Sequence, residues 1–199
     1  MTAGKDGANR KKARHRQSPG MSFTSQIVGV ERCYSELEER RTMGTIRPSL
    51  CFDDAAEAAI NFYLSVFKDA EILSMARHSD GGPAVPGSML AATFRLREQE
   101  FMAINGGPTF TFSAAMSIVV DCTTQEEVNY FWEALAEGGS TNQCGWLTDQ
   151  FGLCWQVVPT LLGELMQDAD QERAGRVGQA MREMTKLDIA TLQAAYDRE

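Results

Sequence analysis

The sequence predicts an α+β protein made of two tandem β-α-β-β-β units followed by C-terminal helices. The first observation is an internal repeat: residues 49–63 lie without a gap on residues 117–131, a shift of 68 positions. The second is that each copy opens with a short apolar run of strand type, reaches an aspartate and then changes to helical spacing. The third is that further strand-like segments, separated by turn residues, follow each copy. A repeat of this kind indicates one supersecondary unit that is used twice.

The repeat includes the side chains that each helix would bury. Three pairs are identical in the two copies: Ser49/Ser117, Asp53/Asp121 and Asn61/Asn129. The apolar residues of both helices lie at i, i+3, i+4 and i+7, which places them on one helical face. They are Ile60, Tyr63, Leu64 and Phe67 in the first copy and Val128, Phe131, Trp132 and Leu135 in the second. We therefore predict that Phe67, Trp132 and Leu135 are buried between helix and sheet.

The first unit is predicted to span about residues 44–108. Its expected elements are a strand over 46–52, a helix over 55–67 and strands over 71–77, 88–96 and 100–104. Asp53 or Asp54 is placed to cap the helix. Residues 80–87 are rich in glycine and proline, which predicts a loop. Asn105 begins the turn that closes the unit and is interpreted as a turn residue.

The second unit is predicted over about residues 114–159, and a helical tail over 160–199. The unit should contain a strand over 116–120, a helix over 124–136, a shortened strand near 140–143 and strands over 144–148 and 153–158. Three helices should follow near 161–167, 171–184 and 189–196, the last two capped by Asp170 and Asp188. Together the two units and the tail form one predicted domain over residues 44–199.

Residues 1–43 differ from the rest of the chain in charge. They carry nine Lys/Arg against five Asp/Glu, whereas the remainder carries ten against twenty-two. The basic run 11–16 stands among polar residues with little apolar content, which is typical of a disordered tail and also compatible with a nucleic-acid-binding arm. A third interpretation is that the segment is a mis-assigned start and that translation begins at Met43. The intact mass of protein expressed from the native gene would decide.

Composition limits the remaining classes of protein. The chain has 199 residues, 43% of them hydrophobic, so it can bury the core of about one domain. It contains no apolar run near the ~20 residues of a membrane span, and its start lacks a signal-peptide pattern. Its five cysteines are scattered without C-x-x-C spacing, which favours reduced thiols and a cytoplasmic location. The acidic body indicates no nucleic-acid partner, and we expect no membrane partner.

Several motifs resemble one known family. They are Pro48-Ser-Leu-Cys-Phe-Asp53, Asn61-Phe-Tyr63, Asn105-Gly-Gly-Pro108, Gln143-Cys-Gly-Trp-Leu147, Asp149-Gln-Phe-Gly-Leu-Cys-Trp-Gln-Val-Val-Pro159 and the helical tail. Together they resemble the PhnB-like branch of the vicinal oxygen chelate (glyoxalase/dioxygenase-like) superfamily, often described as 3-demethylubiquinone-9 3-methyltransferase. The resemblance covers roughly residues 44–197. It implies sheets that curl into an open cup, a homodimer, and a small-molecule site in the cup.

The metalloenzymes of this superfamily place His and Glu ligands at four positions on the first and last strands of the two units. In this chain those positions fall near Pro48, Met102–Ala103, Ala115–Met116 and Gln156. None of them offers His, Asp, Glu or Cys, the usual protein ligands of divalent ions. We therefore expect neither a catalytic metal nor another cofactor. A Gly-rich turn for S-adenosylmethionine is also missing, since Pro108 follows Gly106-Gly107.

We predict that the cup is lined by Phe52, Met102, Cys154 and Gln156. Because neighbouring residues of a strand point to opposite faces, Gln156 faces the cup if Trp155 faces the helices, and Cys154 shares its side. Gln156 is then either a polar anchor for a ligand or a buried amide that bonds the backbone. Cys154 is interpreted as an inert buried thiol, because no base accompanies it in the sequence.

Two further groups of side chains leave alternatives open. His78, beside the Gly/Pro-rich loop, is either a solvated residue or an acid–base group at the rim of the cup. Trp132 is assigned to the core, and Trp146 and Trp155 either fill the core or line the cup.

Two functions follow as hypotheses. The first is a small-molecule-binding protein without a catalytic metal, whose partner is an unidentified organic ligand. The second is an enzyme, either a metal-dependent lyase or oxygenase of the same superfamily or the methyltransferase of the family description.

Overall fold

The computed structural model describes residues 44, 46–80 and 84–198. The predictions for residues 1–43 lie outside the described residues. None of the helices among these residues has the length and the apolar character that a membrane span requires.

Eight strands and five helices form the described part of the chain, in the predicted order. The strands are β1 (Ser49–Phe52), β2 (Ala70–Arg77), β3 (Met89–Leu96), β4 (Gln99–Asn105), β5 (Ile118–Cys122), β6 (Ser140–Thr141), β7 (Trp146–Thr148) and β8 (Cys154–Pro159). The helices are α1 (Ala56–Val66), α2 (Gln125–Ala136), α3 (Thr160–Met166), α4 (Gln171–Glu183) and α5 (Ile189–Asp197). We call residues 47–108 module 1, residues 114–159 module 2 and residues 160–198 the tail.

The sheets confirm the predicted α+β class with tandem β-α-β-β-β units. Sheet 1 has the strand order β1-β4-β3-β2, and sheet 2 has the equivalent order β5-β8-β7-β6. In each sheet the first strand pairs parallel to the last one and the other pairings are antiparallel. The repeated segment therefore forms the same strand and helix in both modules. The first hairpin of module 2 is short, because β6 pairs with β7 over two residues.

Each sheet has a covered face that packs on its helix and an open face on the other side. On sheet 1 the covered face includes Leu50, Phe52, Phe94, Phe101 and Ala103, all buried. On sheet 2 it includes Val120, Leu147, Trp155 and Val157, also buried. The alternation of strand side chains then assigns the remaining paired residues to the open faces.

The two covered faces share one hydrophobic core. Trp155 of sheet 2 stacks on Phe67 of module 1, with ring centroids 5.7 Å apart, and meets the edge of Tyr63 at 5.4 Å. Phe67 also stacks on Phe131 of α2 at 5.2 Å. Phe67, Trp132 and Leu135 are all buried, as the helical spacing predicted. Because the modules join through their covered faces, each open face points away from the shared core.

Asp149 joins the two modules inside this core. It is 3% exposed, and its carboxyl group accepts hydrogen bonds from Tyr63 Oη and Trp155 Nε1, both at 2.8 Å. The main-chain N–H groups of Phe151 and Leu153 donate to its other oxygen. Burial, followed by the neighbouring Asp149, raises the pKa of Tyr63 above its ordinary range. The phenol therefore acts as a hydrogen-bond donor that ties α1 to module 2.

The start of α1 corrects one prediction. Neither Asp53 nor Asp54 caps the helix; Ala55 occupies the N-cap position without a side-chain hydrogen bond. The free N–H of Ala56 donates instead to Asn105 Oδ1, at 2.9 Å, from the end of β4. Asn105 Nδ2 donates to the carbonyl of Met89, so this side chain links the helix to two strands. Asp170 and Asp188 do cap α4 and α5, as predicted.

The tail folds back onto module 2 around a second apolar cluster that includes the fully buried Leu187. The N–H groups of Cys144 and Gly145 donate to the carbonyls of Met184 and Thr185. The Gln125 side chain of α2 donates to the carbonyl of Leu187 and accepts from the N–H of Ile189. Gly145 has φ +79° and a Cβ there would meet the Val157 carbonyl, so this contact requires glycine.

Candidate functional site

The open face of sheet 2 presents a polar group between two apolar side chains. Val119, Gln156 and Trp146 are paired neighbours on β5, β8 and β7 and so form one row across the sheet. Val119 is 50% exposed, and Gln156 and Trp146 are partly buried. Gln156 Nε2 donates to Ser117 Oγ at 2.8 Å, which orients the amide. Its Oε1 accepts no hydrogen bond from any described residue, so it is available to a ligand.

The next row of the same face consists of small polar groups. Thr148 pairs with Cys154, and their Oγ1 and Sγ atoms lie 3.6 Å apart. Ser117 precedes β5 on the same side, where its hydroxyl receives the Gln156 hydrogen bond. The predicted sharing of a face by Cys154 and Gln156 therefore agrees with the structure, and Cys154 is buried.

The open face of sheet 1 is lined by small and aliphatic side chains near its centre. Ser49, Met102 and Thr93 form one row across β1, β4 and β3, and Cys51, Ile104 and Ala91 form the next. All except Ser49 are partly buried. Met102 thus lies on the face where the sequence placed it.

Phe52 lies on the other side of sheet 1. It pairs with Asn105 on the covered face, is 4% exposed, and meets Phe112 edge-on with ring centroids 5.1 Å apart. Because side chains alternate along a strand, Ser49 and Cys51 are the β1 residues that lie on the open face. Phe52 is therefore a core residue in this chain, and we do not include it in the site proposed below.

One end of the open face of sheet 1 carries a charge ladder, which we define as Arg47, Glu100, Arg95 and Glu71. Arg47 donates to Glu100 at 3.2 Å, and Arg95 pairs with Glu71 on the neighbouring strand. Glu100 and Arg95 are themselves paired neighbours in the sheet. Positive and negative groups thus alternate across the sheet, and the ladder has no net charge.

An open crevice of about 900 Å³ runs along the seam between the modules, beside β5. Phe67, Phe101 and Trp155 lie at its apolar base, while Asp69 and Arg97 belong to its charged rim. The Arg97 guanidinium lies 5.6 Å from the centre of the Phe131 ring, a cation–π distance. None of the four predicted site residues lines this crevice.

A buried thiol and an imidazole both lack a suitable environment for catalysis. Cys122 is fully buried, and burial raises the pKa of its thiol to about 11, so it is a poor nucleophile near neutral pH. His78 is partly buried at the end of β2, where its N–H and carbonyl form main-chain hydrogen bonds with Ser88 and Gly87. No hydrogen bond from its imidazole is found among the described residues, which gives no support for an acid–base pair.

The side chains of the described residues do not fit a divalent metal. In residues 46–80 and 84–198, no three His, Cys, Asp or Glu side chains converge to form a ligand set. Gln156, at one of the four positions where metalloenzymes of this fold carry ligands, is engaged with Ser117. Met102 offers a soft thioether, which suits hard divalent ions poorly.

The Gly106-Gly107 turn is used to close module 1. Their N–H groups donate to the carbonyls of Phe52 and Asp53 at the end of β1. A Cβ at Gly106 would collide with the Cys51 sulfur, which explains the need for glycine there. These amides are therefore not free to hold a cofactor.

The two mixed four-stranded sheets, each built from a β-α-β-β-β module, define a protein of the vicinal oxygen chelate superfamily. A family model described as 3-demethylubiquinone-9 3-methyltransferase matches residues 44–158. The chain belongs to this PhnB-like family. The tail lies outside the matched residues.

Solved structures agree with this assignment. A PhnB protein from Bacillus cereus, described as a 3-demethylubiquinone-9 3-methyltransferase, is 37% identical with a TM-score of 0.55; the match covers 59% of this chain and 100% of that one. A protein from Pseudomonas aeruginosa is 23% identical with a TM-score of 0.51, covering 59% of this chain and 98% of that one. The second likeness concerns the fold alone. No curated protein matches this chain.

The sequence interpretation missed part of the candidate site. Ser117 and Val119 were treated only as repeat and strand residues, and Trp146 was left between core and cup. The alternation of β8, once Trp155 was assigned to the core, could have placed Val119 and Trp146 through their pairing with Gln156. Ser117 then shares the face of Val119, because it lies two residues before it. The charge ladder had no signal in the sequence, because it joins residues of three separate strands to Arg47, which precedes β1.

Proposed function

We propose that the protein is a homodimeric small-molecule-binding protein that works without a catalytic metal. The observation that carries the proposal is Gln156, an oriented amide on a central strand between Val119 and Trp146. A few polar groups within an apolar and aromatic surface are the usual composition of a small-ligand site. The ligand is held between the open face of sheet 2 and that of sheet 1 in a second copy.

The direction of the open faces supports the homodimer. Both point away from the core that the modules share, so one chain cannot close a cup from its own two sheets in this arrangement. A twofold axis that sets sheet 1 of each copy against sheet 2 of the other covers all four open faces with one repeated contact. The dimer then contains two equivalent cups, each with Gln156 from one copy and Met102 from the other.

Two features favour binding over the chemistry in the family description. The described part of the chain has no metal-ligand cluster, and an oxygenase or lyase of this fold relies on such a site. For methyl transfer, the glycine turn after β4 is occupied by its own hydrogen bonds to β1. The proposal includes the cytoplasmic location expected from the scattered cysteines.

Native mass spectrometry of untagged protein purified from its own host tests the proposal. We expect the mass of a dimer with a retained organic molecule that survives treatment with excess EDTA. Element analysis on the same sample should find far less than one metal per subunit. One equivalent of zinc, nickel, manganese or iron that is lost on changing Gln156 would contradict the proposal and favour the metalloenzyme.

A pair of glutamine variants tests the anchor. Gln156→Leu keeps the side-chain volume but removes both polar atoms, so the retained molecule should be lost while the dimer persists. Gln150→Leu is the matched control, because Gln150 is exposed in the turn between β7 and β8. Equal retention in the two variants would show that Gln156 is a structural amide.

A charge on the open face of sheet 1 tests the dimer. Met102→Glu places a carboxylate at the centre of the proposed contact, and burying an unpaired charge is costly. The variant should sediment as a monomer and lose the ligand, whereas Gln150→Glu should remain a dimer. A dimeric Met102→Glu protein that still holds the ligand would place the site elsewhere, with the crevice beside β5 as the next candidate.

A further inference from the structure

We infer that the site takes an uncharged, flat and largely apolar molecule that donates a hydrogen bond to Gln156, and that it excludes carboxylates. The inference rests on the proposed function, since the open faces must first form a site. It follows from how charge and hydrogen-bonding capacity are distributed over the two faces.

The charges of sheet 1 are already neutralised. The charge ladder confines Arg47, Glu100, Arg95 and Glu71 to one end of the open face, where each pairs with a neighbour. A ligand carboxylate could recruit Arg95 only by displacing Glu71, which would leave that glutamate unpaired. In the described residues, the rows nearer the centre of this face carry no charged side chain.

The charged side chain on the open face of sheet 2 is negative and would repel an anionic ligand. Asp121 is the charged side chain on the described part of this open face, paired in register with Val158. It is exposed, and it forms no salt bridge with a described residue. A ligand carboxylate above Gln156 would therefore meet a like charge on the same sheet, whose described strands carry no cation on this face.

The hydrogen bonding of Gln156 favours a ligand that carries a donor. One N–H of its NH₂ group donates to Ser117 Oγ at 2.8 Å, which leaves the second N–H and the carbonyl Oε1 free. A ligand that carries only acceptors can receive the second N–H but leaves this oxygen without a partner, whereas an N–H or O–H of a ligand would complete the carbonyl. Amides, phenols and alcohols meet this requirement.

The neighbours of Gln156 favour a flat apolar body. Val119 and Trp146 lie on either side of it in the same row. An indole surface packs well against another planar group. Met102 and Ile104, which the proposed dimer places opposite, add flexible and aliphatic contacts.

The test uses four naphthalene derivatives with the same substitution position, which carry a carboxamide, a methyl ketone, a carboxylate or an aminomethyl group. Their binding to the full-length protein is measured by ligand-observed NMR titration. The carboxamide should bind at least about tenfold more tightly than the carboxylate, because an unpaired charge is costly to bury. It should also bind about three- to tenfold more tightly than the methyl ketone, which has the same shape without the donor. The aminomethyl cation should bind no better than the carboxamide.

Gln156→Leu provides the decisive comparison, because the carboxamide and the methyl ketone should bind that variant equally. Gln150→Leu should preserve the difference between them. Tighter binding of the carboxylate or the cation, or a donor preference that survives Gln156→Leu, would overturn the inference and leave the binding function standing. Failure of all four compounds to bind, together with no retained molecule in native mass spectrometry, would overturn both.

Discussion

The two modules begin their helices in different ways, although the repeat aligns the two starts. In module 1 the first N–H of α1 is satisfied by Asn105, which is 49 residues away at the end of β4. In module 2 Thr124 accepts from the N–H of Glu127, and the Glu127 carboxylate accepts from the N–H and hydroxyl of Thr123. The second start is local and resembles a capping box, with the carboxylate bound to the residue before the N-cap. The comparison shows that one repeated helix depends on its sheet and the other largely on its own sequence.

The aromatic residues of the two helices differ in a similar way. The repeat aligns Phe62-Tyr63 with Tyr130-Phe131, so the hydroxyl moves by one position. Tyr63 donates to Asp149 of module 2, and Tyr130 donates to the Val66 carbonyl of module 1 at 2.8 Å. Both hydroxyls therefore join the modules, but one binds a buried carboxyl group and the other a partly buried helix end. The rings are repeated, while their polar partners are not.

Removing Asp149 should cost the most, because its four donors would lose their acceptor. Each buried donor left without a partner costs about 1–3 kcal/mol. We expect Asp149→Ala to lower the free energy of unfolding by more than about 5 kcal/mol, which denaturant titration can measure.

The matched variant is Asp149→Asn, which keeps an acceptor for Phe151 and Leu153 but cannot serve Tyr63 and Trp155 equally well. It should fall between wild type and Asp149→Ala. A loss below about 1 kcal/mol in both variants would show that the modules do not depend on this contact.

Trp132→Ala tests the helix packing that the repeat predicted. The indole is buried between α2 and its sheet, and such a truncation typically costs about 3–5 kcal/mol. Thermal or urea unfolding should show the loss. A change well under 1 kcal/mol would mean that the helix does not bury this face.

The two helix starts can be compared directly by removing each cap. Asn105→Ala should cost about 2 kcal/mol, because it leaves both the Ala56 N–H and the Met89 carbonyl without a partner. Thr124→Ala should cost about 1 kcal/mol, the usual value for one lost N-cap. Urea unfolding of both variants measures the difference. Equal losses would contradict the claim that α1 relies more strongly on its sheet.

The smallest effect is expected from acid acting on the carboxyl group that caps the start of α2. The hydrogen bonds from the N–H and hydroxyl of Thr123 lower the pKa of Glu127. A carboxyl group with a lowered folded-state pKa stabilises the protein above its ordinary value of 4.5, and this contribution is lost as the pH falls through the folded-state value. Glu127→Gln should therefore reduce the acid sensitivity of unfolding below about pH 4.5. The uncharged Asn105→Ala variant should retain the wild-type pH profile.

Much of the fold could be predicted because the repeat and the helical spacing are local patterns. Residues such as Ile60 and Val128 mark the buried helix faces without knowledge of the sheet. The cap of α1 could not be predicted, because Asp53 and Asp54 match the local rule while the actual partner, Asn105, is brought in by β4. The contact of Tyr63 with Asp149 could not be predicted from the sequence either, since 86 residues separate them.

The candidate site could be predicted on sheet 2 but only partly on sheet 1. In β8 the bulky Trp155 and Val157 indicate the covered face, so Gln156 follows on the open one. In β1 the sequence Ser-Leu-Cys-Phe places apolar side chains on both faces of the strand. The sequence alone therefore does not indicate which face packs against the helix and which is open. The predicted position of Phe52 on the open face therefore had no support from the pattern of β1.

The clamp between Gln125 and the tail has a consequence for the order in which the chain folds during synthesis. Domains generally fold from the N-terminus as they leave the ribosome, and residues 47–108 contain every strand of sheet 1. The strands of sheet 2 are complete by Pro159, but α2 must wait for Leu187 and Ile189 before its Gln125 side chain finds its partners. Cys144 and Gly145 wait for Met184 and Thr185 in the same way. A ribosome stalled between these points would carry a finished sheet 1 beside a sheet 2 whose edge is still open to chaperones and proteases.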